Sequence, residues 1–345
     1  MLSFRKSNPA AVLLTLLIPV IIFVSAAFGA ADISFITAVK AVIEHIGLAD
    51  YDISEPVKLI IMNIRLPRIL LSAIAGAGLA TAGAVFQAVF QNQLAEPYLL
   101  GISSGASLGA TIAIIIGSGF LLGSVGSVTF FAFAGSLLTV FLVLAISGGF
   151  SKGTGNLGNL LLGGIAVGYI FQAIISFLMM LNQDKMETIV FWMMGSFTFT
   201  TWEKVITAAM VVTVCTVIIN INASKLNILS LGSEEAHSLG VNPQRAGIFF
   251  LIVSCMLTAA VVSASGIIGF VGLIVPHLLR VFTGPDHRKL LPASAAGGAC
   301  LLMLADIAAR SMMAPKEIPV GVITAFIGGP FFLIMLRRRR KGAMR

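Results

Sequence analysis

Apolar residues in this chain neither alternate strictly nor keep to one helical face. They come in long runs separated by short polar or Gly/Pro-rich breaks, near residues 10–30, 66–88, 97–117, 126–148, 159–181, 205–222, 246–264, 267–283, 290–311 and 318–336. A helix needs about 20 mostly apolar residues to cross the hydrocarbon layer of a bilayer. The pattern therefore predicts an all-α polytopic membrane protein with about ten transmembrane helices. The first run follows Arg5 and Lys6 and ends in the small-residue stretch SAAFGA at 25–30, as a cleavable signal peptide does. Its apolar core exceeds the roughly 7–15 residues of such a signal, which favours a retained span. The eighth run is short and opens in the glycine-broken SASGIIGFVG, so its start is the least defined.

Composition agrees. Of 345 residues, 58% are apolar and 10% charged, against about 25% charged in soluble domains, which excludes a soluble enzyme. The net charge of +8 has a placement that explains it. With a cytoplasmic amino terminus and ten alternating spans, fourteen of the 22 Lys and Arg residues fall in inside loops and ends and eight outside. That bias follows the positive-inside rule and puts both termini in the cytoplasm. The RRRRK tail at 337–341 then meets the lipid surface rather than nucleic acid.

Glycine and alanine recur at intervals of four in Gly76/Ala80, Gly101/Gly105/Gly109 and Gly164/Gly168, a spacing that lets helix backbones approach closely inside a membrane. Cys215, Cys255 and Cys300 lie in separate apolar runs without CxxC spacing and read as packing residues. The four histidines are scattered, so no metal site is assigned. The letters GTGNLG at 153–158 match GxGxxG, but a dinucleotide site needs a strand and a βαβ unit around them, and here a loop between two spans holds them. No GxxxxGK[ST] phosphate loop exists, so any ATP that drives the protein is hydrolysed by a partner.

Three places carry charge or capping signals. In RLPRILLSAIAGAG, Pro67 suits a first helical turn, which sets Arg65 and Arg68 at the positive end of the helix dipole. Uncompensated, each costs about 0.3–1 kcal/mol, and the residues alone leave open an acidic docking partner or simple solvation. Arg310 ends the ninth run on the same side, one turn after Asp306, a pairing that favours local neutralisation over proton carriage. The loop at about 223–245 predicts two short helices joined by a turn, a rigid knob. In it Ser233 caps a helix that begins with Glu234 and Glu235, Gly240 ends it, and Asn242 with Pro243 starts the next.

Together these segments resemble the permease subunits of the iron-siderophore and vitamin B12 (FecCD-type) ABC importer family. The resemblance rests on RLPR at 65–68, QNQLAEPYLLGISSGASLGA at 91–110, LLLGGIAVG at 160–168, FWMMGSF at 191–197, LGSEEAHSLGV at 231–241, GFVGLIVPHLLR at 269–280, DHRKLLP at 286–292, and ADIAAR with EIPVGVITAFIGGPFF near the end. It implies one transmembrane permease domain over 1–345 in the bacterial cytoplasmic membrane, paired with a second permease subunit, identical or homologous. It also implies cytoplasmic ATP-binding subunits that hold the ATP and Mg, so that this chain carries no cofactor, and an extracytoplasmic substrate-binding lipoprotein.

Carried over by residue, the resemblance makes Arg65, Arg68 and Arg310 docking contacts for carboxylates of the binding protein, so that charge reversal abolishes docking and spares the fold. It makes the stretch with Ser233, Glu234, Glu235, His237, Leu239, Gly240, Asn242 and Pro243 the loop that couples to the ATPase. Asn92 and Leu94 match one gate loop, and Leu157 and Gly158 the second. The family's usual proline after Asn92 is Gln93 here, which implies a less stiff loop. The expected cargo is an iron(III)-siderophore, with vitamin B12 or haem as the alternative. A proton-coupled secondary transporter, with Asp306 or Glu96 as its titrating group, and a membrane-embedded enzyme are the competing classes.

Overall fold

A computed structural model describes residues 9–28, 33–45, 51, 53–117, 123–148 and 157–342. Among them every regular element is helical: α1 (Pro9–Ala27), α2 (Phe35–His45), α3 (Glu55–Leu59), α4 (Leu66–Val89), α5 (Ile102–Ile116), α6 (Gly123–Ile146), α7 (Leu157–Leu181), α8 (Met186–Met193), α9 (Trp202–Ile221), α10 (Ala223–Leu229), α11 (Ser233–Ser238), α12 (Pro243–Ser265), α13 (Val271–Thr283), α14 (His287–Ser311) and α15 (Val320–Gly342). Among the described residues, seven helical stretches are long and apolar enough to cross a membrane: α1, Glu55–Val89, Gly126–Ile146, Gly158–Leu181, α9, α12 and α14. Helices α5, α13 and the Val320–Met335 part of α15 are apolar but shorter. These ten coincide with the ten predicted runs.

A wide π-type turn, Ile60–Arg65, joins α3 to α4 without a break, so a 35-residue helical stretch replaces the shorter span that the sequence predicts. Helix α4 is the hub, packed against α14, α12, α13 and α9. A β-carbon on Gly76 would collide with the Gly298 carbonyl of α14, and one on Gly83 with the Gly272 carbonyl of α13. Lipid offers no hydrophobic drive for helices to associate, so such backbone approach, with the dispersion contacts it allows, sets the pairing. The spacing of small residues thus marks tight packing.

Helices α1 and α14 run parallel. The Cys300 thiol faces the Leu14 carbonyl, and Arg310 reaches Ser25 and Phe28 at the far end. The first span is therefore built into the bundle. Two faces result, about 37 Å apart along the 25 residues of α14 at 1.5 Å each. One face carries Arg68 and Arg310, and the other carries α10, α11 and the start of α14. Helix α1 begins and α15 ends on the latter.

The short helices α5 and α13 have a physical reason. Each starts at a break inside the bundle, after the turn Pro97–Leu100 and after residues 266–270, and the two breaks touch: Tyr98 donates its hydroxyl to the Ile268 carbonyl at 2.8 Å. Non-helical backbone is tolerated at membrane depth where protein buries it. Phe270 precedes α13 at φ 68°, and its ring fills the space beside Gly328 of α15. The eighth span consequently starts at Val271, later than the apolar run suggests.

Candidate functional site: charged rim, knob and gate loop

On the rim face, the π-type turn and Pro67 orient the start of α4 so that Arg65 and Arg68 point inward, against α1 and α14. Arg68 donates from Nε to Asp306 Oδ1 at 2.9 Å and from Nη1 to Glu317 Oε2 at 2.8 Å. Asp306 also receives Arg310 Nε at 3.1 Å. Arg310 reaches across to α1 through the Ser25 hydroxyl at 2.7 Å and the Phe28 carbonyl at 2.8 Å, and Arg65 donates to the Ala26 carbonyl at 2.6 Å.

Asp306 is fully buried, and the three arginines are 4–5% exposed. Thr198 donates to Glu317, and the contacts with Arg68 and Thr198 outweigh burial, holding the Glu317 carboxyl below its ordinary value of 4.5. The acid that offsets the dipole penalty of the arginines is thus supplied within the chain, by α14 and the loop after it. The expectation of three outward-facing arginines whose reversal spares the fold does not match this burial. The three guanidinium groups clamp α1, α4 and α14 together, and a reversed charge would be buried among them.

The opposite face carries the knob. Helix α11 exposes Glu234, Glu235 and His237, flanked by Leu231 and Leu239 at 62% and 58% exposure, while Ala236 is buried and anchors it. Gly232 at φ 132° occupies the cap position, so Ser233 is the first helical residue rather than the cap. Gly240, at φ 78°, ends the helix in a Schellman pair: its N–H goes to His237 and that of Val241 to Ala236. Asn242 accepts the Arg245 N–H at 3.0 Å, and Pro243 opens α12, as the sequence predicts. A cavity of about 510 Å³ beside the knob is lined by Lys225, Asn242, Arg245, Phe249 and Phe250 among others.

The loop that the resemblance makes the first gate follows α4 on the same face. Gln91, in the left-handed region at φ 49°, closes α4 through the Asn92-to-Gln87 and Gln91-to-Ala88 backbone bonds. Asn92 Oδ1 then accepts the Leu94 N–H at 3.1 Å, an Asx turn that shapes the loop with Gln93 in place of proline. Asn92 is exposed and Leu94 half-buried. Of the two residues expected at a second gate, Gly158 lies exposed at the start of α7, whereas the Leu157 side chain and residues 149–156, which include most of GTGNLG, lie outside the described set.

Sequence reasoning passed over two features. The expectation that no nucleophile motif such as GxSxG occurs is wrong by letter, because residues 101–105 and 105–109 both spell it, but a nucleophile elbow needs a strand-to-helix turn. These serines stand instead in α5, where Gly105 abuts Gly135. It also missed Glu317, whose recruitment to Arg68 only a fold can create.

The FecCD transport family model matches residues 16–338. The chain belongs to that family. The hemin transport system permease protein HmuU of Yersinia pestis is 43% identical to this permease over 284 residues, 81% of this chain and 84% of the relative. The Fe(3+)-citrate import system permease protein YfmD of Bacillus subtilis is 35% identical over 342 residues, 97% of this chain and 98% of the relative. Among solved structures, an inward-facing ABC transporter described as of metal-chelate type superposes with a TM-score of 0.83 at 33% identity, covering 96% of this chain and all of the other. This permease is therefore a membrane-spanning transport subunit of ABC importer type.

Proposed function

We propose that this permease carries an iron(III)-siderophore inward across a bacterial cytoplasmic membrane, as one of two permease subunits that enclose the pathway. Cytoplasmic ATP-binding subunits hold ATP and Mg and grip the knob. An extracytoplasmic binding lipoprotein delivers the cargo to the rim face. The observation that carries the reading is the knob itself: a short helix, closed at its C-terminus by Gly240, with exposed Leu231 and Leu239 around Glu234, Glu235 and His237. Exposed leucines on such a knob suit a socket in a partner.

An iron chelate as cargo is supported by the relative named for iron(III) citrate. Haem is the second reading, favoured by the 43% identity to the hemin permease. On the rim, the burial of Arg65, Arg68 and Arg310 gives them the role of shaping the docking surface, with exposed neighbours such as Lys316 making the contacts.

The test is uptake into proteoliposomes that hold this permease with its ATPase and binding protein. ATP-dependent accumulation of a radio-iron siderophore is the expected result, abolished in Leu239→Asp through loss of ATPase assembly. Accumulation of haem or cobalamin alone would replace the cargo assignment. Uptake driven by a proton gradient without ATP would overturn the mechanism.

A further inference from the structure

Helix α11 stands on the short helix α10, and α10 stands on α14, α4 and α12. The apolar part of that footing is Leu226 and Leu229, both buried. The polar part is concentrated in one side chain. Asn227 Oδ1 accepts the backbone N–H of His287 at 2.7 Å and lies 2.7 Å from the His287 ring Nδ1, while Asn227 Nδ2 donates to Asp286 Oδ1 at 2.7 Å. That backbone N–H belongs to the first residue of α14, one of the donors a helix start leaves without an internal partner. Asn227 thus caps a transmembrane helix from outside it. Asp286 Oδ1 meanwhile accepts the Arg288 N–H at 3.0 Å, and Ser224 Oγ accepts Arg288 Nε and Nη2 at 3.1 and 2.9 Å. On its other side α10 offers the Leu229 carbonyl to Gln91 Nε2 at 3.3 Å, at the head of the loop that holds Asn92 and Leu94.

We propose that Asn227 is the positioning residue through which displacement of the knob reaches both α14 and the loop after α4. The proposal rests on the reading that an ATPase grips the knob. Helices α4 and α14 act as one body, since Gly76 and Gly298 bring their backbones together midway and Arg68 pairs with Asp306 at the far face. A close-packed pair moves rather than deforms. A shift at the α10 contact is therefore delivered to the rim, and through Gln91 the same shift moves the gate loop.

The test uses the assembled transporter in proteoliposomes and reads three quantities: complex recovered, ATP turnover, and cargo accumulated per ATP. Asn227→Ala removes all three bonds. Asn227→Asp keeps size and acceptor but loses the donor and sets carboxylate against carboxylate. Both are expected to assemble and to hydrolyse ATP within about twofold of the parent, while cargo per ATP falls about tenfold. Combining Asn227→Asp with Asp286→Asn rebuilds the donor–acceptor pair with its polarity reversed and restores the ratio, which a merely structural role would not do. If the single variants fail to assemble, Ser224→Ala and the paired variant carry the same readout. An unchanged ratio, a fall of uptake and hydrolysis in equal proportion, or no rescue by the pair overturns the proposal. A parent complex with no ATP-driven uptake would defeat the functional reading instead.

Discussion

Arg68 and Asp306 stand 238 residues apart in sequence, yet the Arg68 guanidinium meets the Asp306 carboxylate at 2.9 Å in a fully buried site. The pair joins the start of α4 to the end of α14, and Arg310 closes the same carboxylate from the other side. Buried ion pairs stabilise little relative to an apolar core, but breaking one leaves an uncompensated charge. The rim is therefore brittle toward single substitutions.

Asp306→Asn is expected to lower stability by about 3–5 kcal/mol, because two buried guanidinium groups lose their shared counter-charge. Thermal unfolding in detergent, followed by size-exclusion chromatography, measures it. An unfolding temperature equal to that of the parent would contradict the clamp role.

Glu317 gives the rim a pH dependence. Its carboxyl titrates below 4.5 in the folded protein, so the stability it contributes is complete above that value and is lost as pH falls through the lowered one. Unfolding temperature should therefore drop on acidification below pH 4.5. Glu317→Gln should flatten that drop and leave the rest of the profile parallel.

The glycine contacts separate packing from composition. Gly298→Ala puts a β-carbon into the Gly76 carbonyl and should destabilise by about 1–3 kcal/mol or more. Gly329→Ala, inside α15, meets open space and should stabilise by up to about 1 kcal/mol. Equal unfolding temperatures for the two variants would refute the close approach of α4 and α14.

Orientation is testable with single cysteines in a background lacking Cys215, Cys255 and Cys300, each buried and replaceable by Ala or Ser. Leu239→Cys on the knob should react with a membrane-impermeant maleimide only in inside-out vesicles, and Lys316→Cys only in right-side-out ones. The reverse pattern would invert the assignment of the two faces.

Much of the architecture is legible in the sequence because a bilayer imposes simple rules. Long apolar runs had to be helical in a bilayer, so ten apolar helices could be counted before any packing was known, and among the described residues seven of them are long enough to span. Gly240, Asn242 and Pro243 fixed the end of α11 and the start of α12, since turn and cap chemistry is local. The four-residue glycine spacing announced close helices but not the partner of each.

What the tertiary structure alone decided is where charge goes. The i,i+4 pairing of Arg310 with Asp306 was legible in the sequence and is present, but Arg65 and Arg68 sit at a helix start, where solvation or a docked acid is the natural expectation. The fold brings Asp306 and Glu317 to Arg68 from more than 200 residues away and buries the result. Likewise Asn227, one polar residue among many in a loop, becomes the cap of α14 only when α10 is laid against it. Local sequence fixes hydropathy and backbone propensity. Which donor meets which acceptor depends on helix register and rotation, and those are set by packing between segments far apart in the chain.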